Sequence, residues 1–187
     1  MTDRLEQVFA GIDAANAADP TLETGEPAAL LYGRRMSAEL ERVAPDAPEL
    51  LKIAARGQHI ERWTMARSDY AEGRDGYLRW RSDLADFHGR RVGEIMAASG
   101  YGEAEQGRVA TMLRKQGLKR DAEVQLLEDV ICLVFIRWYL EDFAETRDPE
   151  HVFRIVAKTA RKMSAEGRER ARREFDLPPN LAPAMAG

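Results

Sequence analysis

The stretch from Arg120 to Phe143 reads RDAEVQLLEDVICLVFIRWYLEDF and is the most apolar part of the chain. Its apolar side chains recur at helical spacing, and in the middle of the stretch they surround the helix axis on all sides. A helix that is apolar all round is a buried helix, so the stretch predicts a central core helix. Its longest apolar run, Val130 to Ile136, is far shorter than the about 20 residues that a membrane-spanning helix needs. We therefore expect no membrane segment.

Helical spacing of apolar residues continues on both sides of the core helix. Strand signals are nearly absent, since no alternating β-branched run and no Asn-Gly hairpin occur. Proline and glycine mark helix ends, as at Pro20 and Gly100. The pattern predicts an all-α chain with about seven or eight helices. We expect helices at residues 5–12, 27–43, 77–99, 103–116, 120–143, 149–159 and 164–175. A further helix is expected to begin near residue 48 and to continue through Gln58, His59 and Arg62. Residues 64–76 are expected to form a loop.

The length of the chain favours one domain. Its 187 residues compare with a typical domain size of roughly 150 residues. We predict a single compact helical domain over residues 1–176. Residues 177–187 contain three prolines and are expected to form a loosely ordered tail. A content of 44% apolar and 32% charged residues is typical of an ordinary globular protein.

The charge of the chain excludes some classes of function. The net charge is −4 and the isoelectric point is about 5.5, so no basic excess supports binding to nucleic acid. The first residues lack the long apolar run of a secretory signal. A single cysteine, Cys132, makes no internal disulfide and is expected to be a buried thiol. These features predict a cytoplasmic protein.

Two histidines flank a stretch that is rich in arginine and aromatic residues. His59 follows the apolar segment 50–55, so it is expected at the end of a buried helix, where a histidine can serve as a ligand or general base. His88 lies four residues after Leu84 and four before Val92, which places it on the apolar face of its helix. For both residues the alternative is a structural histidine whose ring nitrogens are satisfied by hydrogen bonds.

Two acidic residues, Glu128 and Asp129, begin the apolar part of the core helix. A buried carboxylate needs a cation, a metal or several donors, because loss of water disfavours its charge. The functional interpretation makes Asp129 a metal ligand and Glu128 a ligand or a catalytic general base. The alternative for Glu128 is a buried salt bridge. Its partner would be Arg62, Arg81 or Lys115.

The segment between the histidines is dense in guanidinium and aromatic side chains, which bind phosphates, carboxylates and flat rings. A pocket for a small anionic molecule is therefore one interpretation. The other pairs the arginines with the acidic residues of the same segment, whose net charge is near neutral. The substrate-binding residues of the first interpretation are Gln58, Arg62, Trp63, Arg67, Arg74, Tyr77 and Arg81.

Six segments resemble the signature segments of a bacterial and fungal protein family that is defined only as a domain of unknown function. They cover residues 12–20, 31–37, 58–63, 76–81, 127–135 and 162–164. The resemblance extends over nearly the whole chain and implies no activity. Some fungal members are labelled glutamyl-tRNA synthetase, although nothing in this sequence resembles a synthetase nucleotide fold.

A more distant resemblance is to the HD superfamily of metal-dependent helical enzymes. It implies an orthogonal bundle of helices in which a first histidine, a His-Asp pair and a last aspartate bind the metal. The segments that resemble parts of this core, in order, are residues 32–36, 54–59, 87–101, 106–113 and 123–129.

The resemblance to the HD superfamily implies that His59, His88 and Asp129 bind a divalent metal ion. The sequence departs from the HD motif at two ligand positions. Tyr32 or a neighbouring arginine stands at the first-histidine position, and Ile60 stands where the paired aspartate would be. The usual single-metal site is therefore expected to be rebuilt, replaced by a metal-free pocket, or lost.

These observations support three hypotheses of function. The first is a metal-dependent, hydrolytic enzyme that acts on a small anionic substrate, where the metal makes its bound water a nucleophile at neutral pH. An iron-dependent oxygenase is a variant on the same fold. The second is a non-catalytic protein that binds an anionic ligand or partner in the arginine-rich pocket. The third is an interaction protein whose long helices pair in a homodimer.

Overall fold

A computed structural model describes residues 3–185 of the chain. Helices make up 72% of the structure, which confirms the all-α prediction. Within residues 3–185, the α-helices are α1 (Asp3–Asn16), α2 (Ala28–Val43), α3 (Glu49–Arg56), α4 (Gly73–Ala98), α5 (Glu103–Leu113), α6 (Ala122–Trp138), α7 (Leu140–Glu145), α8 (Pro149–Lys162) and α9 (Ala165–Glu174). Three short 3₁₀ helices in that range cover Arg62–Thr64, Arg67–Asp69 and Ala182–Met185.

The helices form two compact units, residues 1–116 and residues 117–187, which we call the first unit and the second unit. The predicted single domain over residues 1–176 stays a prediction. None of the helices in the described residues is long and apolar enough to cross a membrane.

In the first unit, α1 packs on α2, α3 and α4, and α5 packs on α3 and α4. The sequence of α4 explains its place, because Leu84, His88, Val92 and Met96 recur every four residues and are all buried. Gly100 has a φ of 83° and ends this helix with the left-handed residue that the sequence predicts. One face of α4 therefore carries both core residues and a histidine.

The end of α3 differs from the prediction. The helix stops at Arg56, so Gln58 and His59 lie in a turn and Arg62 lies in a 3₁₀ helix. The next residue, Gly57, lies so close to α4 that a Cβ atom there would be 2.5 Å from the Val92 side chain. Periodicity in the sequence does not reveal such a close approach between helices.

The loop predicted at residues 64–76 is shorter than expected. Two 3₁₀ helices occupy part of it, and α4 begins at Gly73 rather than at Tyr77. A Cβ atom on Gly76 would lie 1.8 Å from the Ala71 carbonyl oxygen, so the chain can fold back on the first turn of α4 only because residue 76 is glycine.

A small hairpin was not predicted. Strand β1 (Leu22–Glu23) pairs antiparallel with strand β2 (Glu26–Pro27). Ion pairs from Glu23 to Arg35 and from Glu26 to Arg34 connect the hairpin to α2. Two-residue strands are too short for an alternating pattern to show in the sequence.

In the second unit, α6 packs on α7, α8 and α9. The core helix predicted over residues 120–143 is interrupted at Tyr139, where φ is −127° and the backbone leaves the helical region. No proline or glycine marks this break in the sequence. The predicted caps are present: Asp148 accepts a hydrogen bond from the His151 N–H, and Pro149 begins α8.

The segment that the sequence predicts as a loose tail is described up to residue 185. Leu181, Ala184 and Met185 are buried, and the last 3₁₀ helix packs on α8 and α9. The Met185 carbonyl oxygen accepts a hydrogen bond from Arg172 at 3.1 Å. Part of the tail is therefore packed in the second unit. Residues 186 and 187 lie outside the described residues.

Candidate functional site

The first unit contains a cavity of about 390 Å³, a volume in the lower part of the range for small-molecule sites. Its walls are the turn after α3, the middle of α4 and the residues that follow α5. Among the residues predicted to form a site, Gln58, His59, Arg62, Arg81 and His88 line this cavity. The structure thus brings together two histidines and two arginines that are separate in the sequence.

The turn that carries Gln58 and His59 is held in place at its C-terminal end, by Glu61. Glu61 has a φ of 47°, in the left-handed region that non-glycine residues rarely adopt. Its N–H donates a hydrogen bond to Asn16 Oδ1 at 2.9 Å, and its carboxylate pairs with Arg91 at 2.7 Å. These two contacts hold the backbone in a conformation that brings His59 to the cavity.

The two imidazole rings lie near each other, with ring centroids 6.2 Å apart. The His59 ring also stacks on the Tyr32 ring at a centroid distance of 3.9 Å. His88 is only 4% exposed, and its Nε2 atom has no hydrogen-bond partner among the described residues. The Oε1 atom of Gln58 likewise has none in this part of the chain. Buried polar atoms without partners are uncommon, so these two atoms are available for hydrogen bonds to a ligand.

Both histidines are neutral near pH 7. Burial, and then the positive charge of Arg62, lowers the pKa of His59 well below its ordinary value of 6.5. Burial, and then the charges of Arg62 and Arg81, lowers the pKa of His88 to about 3. A neutral imidazole offers one donor and one acceptor and adds no positive charge to the cavity.

Arg62 is held by an aromatic ring. Its guanidinium lies over the Trp80 ring, 4.8 Å from the centroid, which is the geometry of a cation–π contact. Trp80 is fixed in turn, because its Nε1–H donates a hydrogen bond to the Met65 carbonyl oxygen at 3.0 Å. Burial and the positive charge of Arg81 lower the pKa of Arg62. The two guanidinium groups therefore repel each other at the cavity.

The arginines of the cavity differ in their partners. Arg114 forms an ion pair with Asp86 at 2.5 Å. Across residues 3–185, neither Arg62 nor Arg81 forms an ion pair with an Asp or Glu side chain. Two partly buried cations without a counterion favour the binding of an anion.

The other four residues predicted to bind substrate lie elsewhere in the first unit. Arg67 donates a hydrogen bond to the Tyr70 carbonyl oxygen at 3.0 Å, so its guanidinium stabilises the loop before α4. Arg74 and Tyr77 are exposed in the first turns of α4, and Trp63 is partly buried in a 3₁₀ helix. Their role in binding stays a prediction.

Glu128 and Asp129 belong to the second unit, where both are buried. Glu128 pairs with Lys162 of α8 at 3.6 Å. Both oxygens of Asp129 accept hydrogen bonds, from the Ser164 N–H at 2.8 Å, from the Ser164 hydroxyl, and from Gln125 Nε2 at 3.0 Å. Ser164 in turn caps α9 through the Gly167 N–H. Asp129 therefore connects α6 to the start of α9.

The donor atoms of the cavity determine whether it can hold a metal ion. The first unit offers the imidazoles of His59 and His88, whereas Asp86 is paired with Arg114. No group of three or more His, Cys, Asp or Glu side chains within residues 3–185 is placed to hold a metal ion. The metal site predicted from His59, His88 and Asp129 gains no support from this geometry and stays a prediction.

Three residues that the sequence did not single out as site residues also contribute to the cavity. Asp86 lies on α4 two residues before His88, and Arg114 and Lys115 follow the end of α5. The one available signal was that a pair of basic residues follows an apolar helix, which is typical of ordinary helix ends. That pattern alone does not distinguish a binding residue from a helix cap.

Comparison with known proteins identifies the family of the chain. Residues 6–185 match the model of a family described as Domain of unknown function (DUF4202). The search of curated proteins found no match, and the search of solved structures found none either. Because the matched region covers nearly the whole sequence, the chain belongs to this family.

Proposed function

We propose that this member of the family binds a small anionic ligand, bearing a phosphate or a carboxylate group, in the cavity of the first unit. The observation that carries the proposal is the pair Arg62 and Arg81. Both line the cavity, and neither is paired with a carboxylate of the described residues. Guanidinium groups of this kind bind phosphate and carboxylate oxygens through two parallel hydrogen bonds.

The neutral polar groups of the cavity support the same proposal. The histidines add no charge, because burial and the nearby arginines lower the pKa of each imidazole. Gln58 and His88 each keep an atom without a hydrogen-bond partner in the described chain. A ligand with one anionic group and further polar atoms satisfies both the cations and these atoms.

Isothermal titration calorimetry with inorganic phosphate at constant ionic strength tests the proposal. Arg81→Gln removes one unpaired guanidinium and should weaken phosphate binding roughly tenfold or more, because a charged hydrogen bond contributes about 1.5–3 kcal/mol. The matched control is Arg79→Gln, which changes an exposed arginine two residues away on the same helix. This control should bind phosphate like the unchanged protein.

Two results would contradict the proposal. One is the absence of binding heat with phosphate and acetate alike. The other is an equal loss of affinity in the Arg81→Gln and Arg79→Gln variants, since a general loss of surface charge would then explain the binding.

A second candidate is metal-assisted hydrolysis of the bound anion, which would accompany the HD-like fold that the sequence predicts. Neutral imidazole is the form that binds metals, and His59 and His88 have ring centroids 6.2 Å apart. The two rings would supply only two protein ligands, whereas catalytic zinc sites use three. Arg62 and Arg81 oppose a bare cation, so the metal would enter together with an anion.

Metal analysis tests this second candidate. The protein would be incubated with Zn²⁺ or Mn²⁺ in the presence of phosphate, dialysed, and measured by mass spectrometry of its metal content. Stoichiometric metal that is lost in both His59→Ala and His88→Ala, and retained in the exposed control His151→Ala, supports the candidate. Metal content that is unchanged by the two cavity variants removes it.

A further inference from the structure

We infer that the anion bound in this cavity carries two negative charges on one compact group, as a phosphate monoester does, and not the single charge of a carboxylate or a phosphodiester. The inference rests on the proposed function and adds the chemical class of the ligand. It is based on the number of arginines without a counterion and on the number of oxygen atoms that the anion offers to their guanidinium groups.

The charges of the cavity give the first argument. Arg62 and Arg81 each bring one positive charge, and across the described residues neither pairs with an Asp or Glu. Arg114 is paired with Asp86, and Lys115 adds a further positive charge to the lining, which contributes to the lowered pKa of His59. Two unpaired charges are compensated by a dianion, whereas a monoanion would leave one of them uncompensated beside the other.

The number of oxygen atoms gives the second argument. A guanidinium is a planar fork that binds two oxygens at once. A carboxylate has two oxygens, whose lone pairs lie in one plane, and a single negative charge. A phosphate monoester presents three terminal oxygens and carries a charge of about −1.5 to −2 near neutral pH. It can therefore receive the forks of Arg62 and Arg81 together.

The remaining lining groups describe the rest of the ligand. Burial and the arginines lower the pKa of His59 and of His88, so both imidazoles are neutral near pH 7. With Gln58 and His88 each retaining an unpartnered atom within the described chain, the cavity fits the monoester of a small alcohol that carries further hydroxyl groups.

The experiment compares three small anions by isothermal titration calorimetry at constant ionic strength near pH 7.5. The anions are methyl phosphate, which is mostly a dianion there, and dimethyl phosphate and acetate, which are monoanions. Methyl phosphate should bind roughly tenfold tighter than either monoanion, since only it carries two negative charges to compensate both arginines. In Arg81→Gln this preference should disappear, and in the exposed control Arg79→Gln it should remain.

A change of pH provides a second readout. Near pH 5.5 methyl phosphate takes up a proton and becomes largely a monoanion, because its second pKa is about 6. Its affinity should then fall towards that of dimethyl phosphate, whose own affinity should stay level. A gain in affinity for all three anions at the lower pH would instead indicate that a histidine becomes charged, and would overturn the inference.

Different results would contradict the preference for a dianion and the proposed anion binding itself. If all three anions bind equally well near pH 7.5, the cavity does not select a dianion and the inference is wrong, while anion binding stands. If none of the three binds, the proposed function itself is wrong and the inference falls with it.

Discussion

The cavity of the first unit and the surroundings of Asp129 in the second unit both contain charged groups among apolar helices. The two regions differ in whether those charged groups have partners. Both oxygens of Asp129 accept hydrogen bonds, and the carboxylate connects α6 to α9. Arg62 and Arg81 have no carboxylate partner within the described residues. A buried charge with partners stabilises the fold, whereas one without a partner is available to a ligand.

The largest expected effect concerns the paired charge. Asp129→Ala leaves the Ser164 N–H, the Ser164 hydroxyl and the Gln125 amide without their acceptor. The free energy of unfolding should fall by about 3 kcal/mol or more, because each unsatisfied buried group costs about 1–3 kcal/mol. Urea denaturation measures this change.

Asp142→Ala is the control for this prediction, because Asp142 is an exposed aspartate of the same unit. It should change stability by no more than about 0.5 kcal/mol. A stable Asp129→Ala protein that no longer binds phosphate would break the comparison, since the paired charge would then serve the ligand.

A second effect is expected on acidification. The unfolded chain protonates His88 near pH 6.5, but the folded protein does so only near its lowered pKa of about 3. Between these values the unfolded state binds more protons, so stability falls as the pH falls from 6.5 towards 3, by up to about 1.4 kcal/mol per pH unit. Urea denaturation of His88→Gln should show a weaker loss over this range.

The matched control for the acid effect is His151→Gln in the second unit, where His151 is exposed. This variant should follow the pH dependence of the unchanged protein. If the His88→Gln curve also runs parallel to that of the unchanged protein, the cavity does not hold His88 in its neutral form.

A third prediction concerns the ring that holds Arg62. Trp80→Leu removes the cation–π contact at 4.8 Å without changing a residue that lines the cavity. Phosphate affinity should fall about two- to fivefold, since such a contact contributes about 0.5–1 kcal/mol. Trp138→Leu, which removes the corresponding Arg137 contact in the second unit, should leave phosphate affinity unchanged in calorimetry. Equal losses in the two variants would contradict the role of Trp80.

The smallest effect concerns stability at the cavity itself. Arg81→Gln removes a charge that repels Arg62 and breaks no ion pair of the described residues. The free energy of unfolding without ligand should stay level or rise by up to about 0.5 kcal/mol. A loss above about 1 kcal/mol in urea denaturation would mean that Arg81 has a structural partner. The arginines of the cavity would then be paired charges, as Asp129 is.

The fold class and part of the cavity could be predicted from the sequence because their signals are local. The four-residue spacing of Leu84, His88 and Val92 predicts the buried face of α4, and the structure places all three there. The apolar run before His59 likewise predicts that the chain brings this residue to the core. In both cases a few neighbouring residues contain the information.

Contacts between distant residues could not be predicted in this way. Ser164, which binds Asp129, lies 35 residues away in the sequence. Nothing near Gly57 in the sequence reveals that Val92 packs against it. The break at Tyr139 carries no proline or glycine, and the division of the arginines into paired and unpaired ones depends on tertiary packing.

The hydrogen bond from Glu61 to Asn16 spans 45 residues and ties the turn that carries His59 to the last residue of α1. The position of a residue that lines the cavity therefore depends on the Asn16 side chain, which does not itself line the cavity.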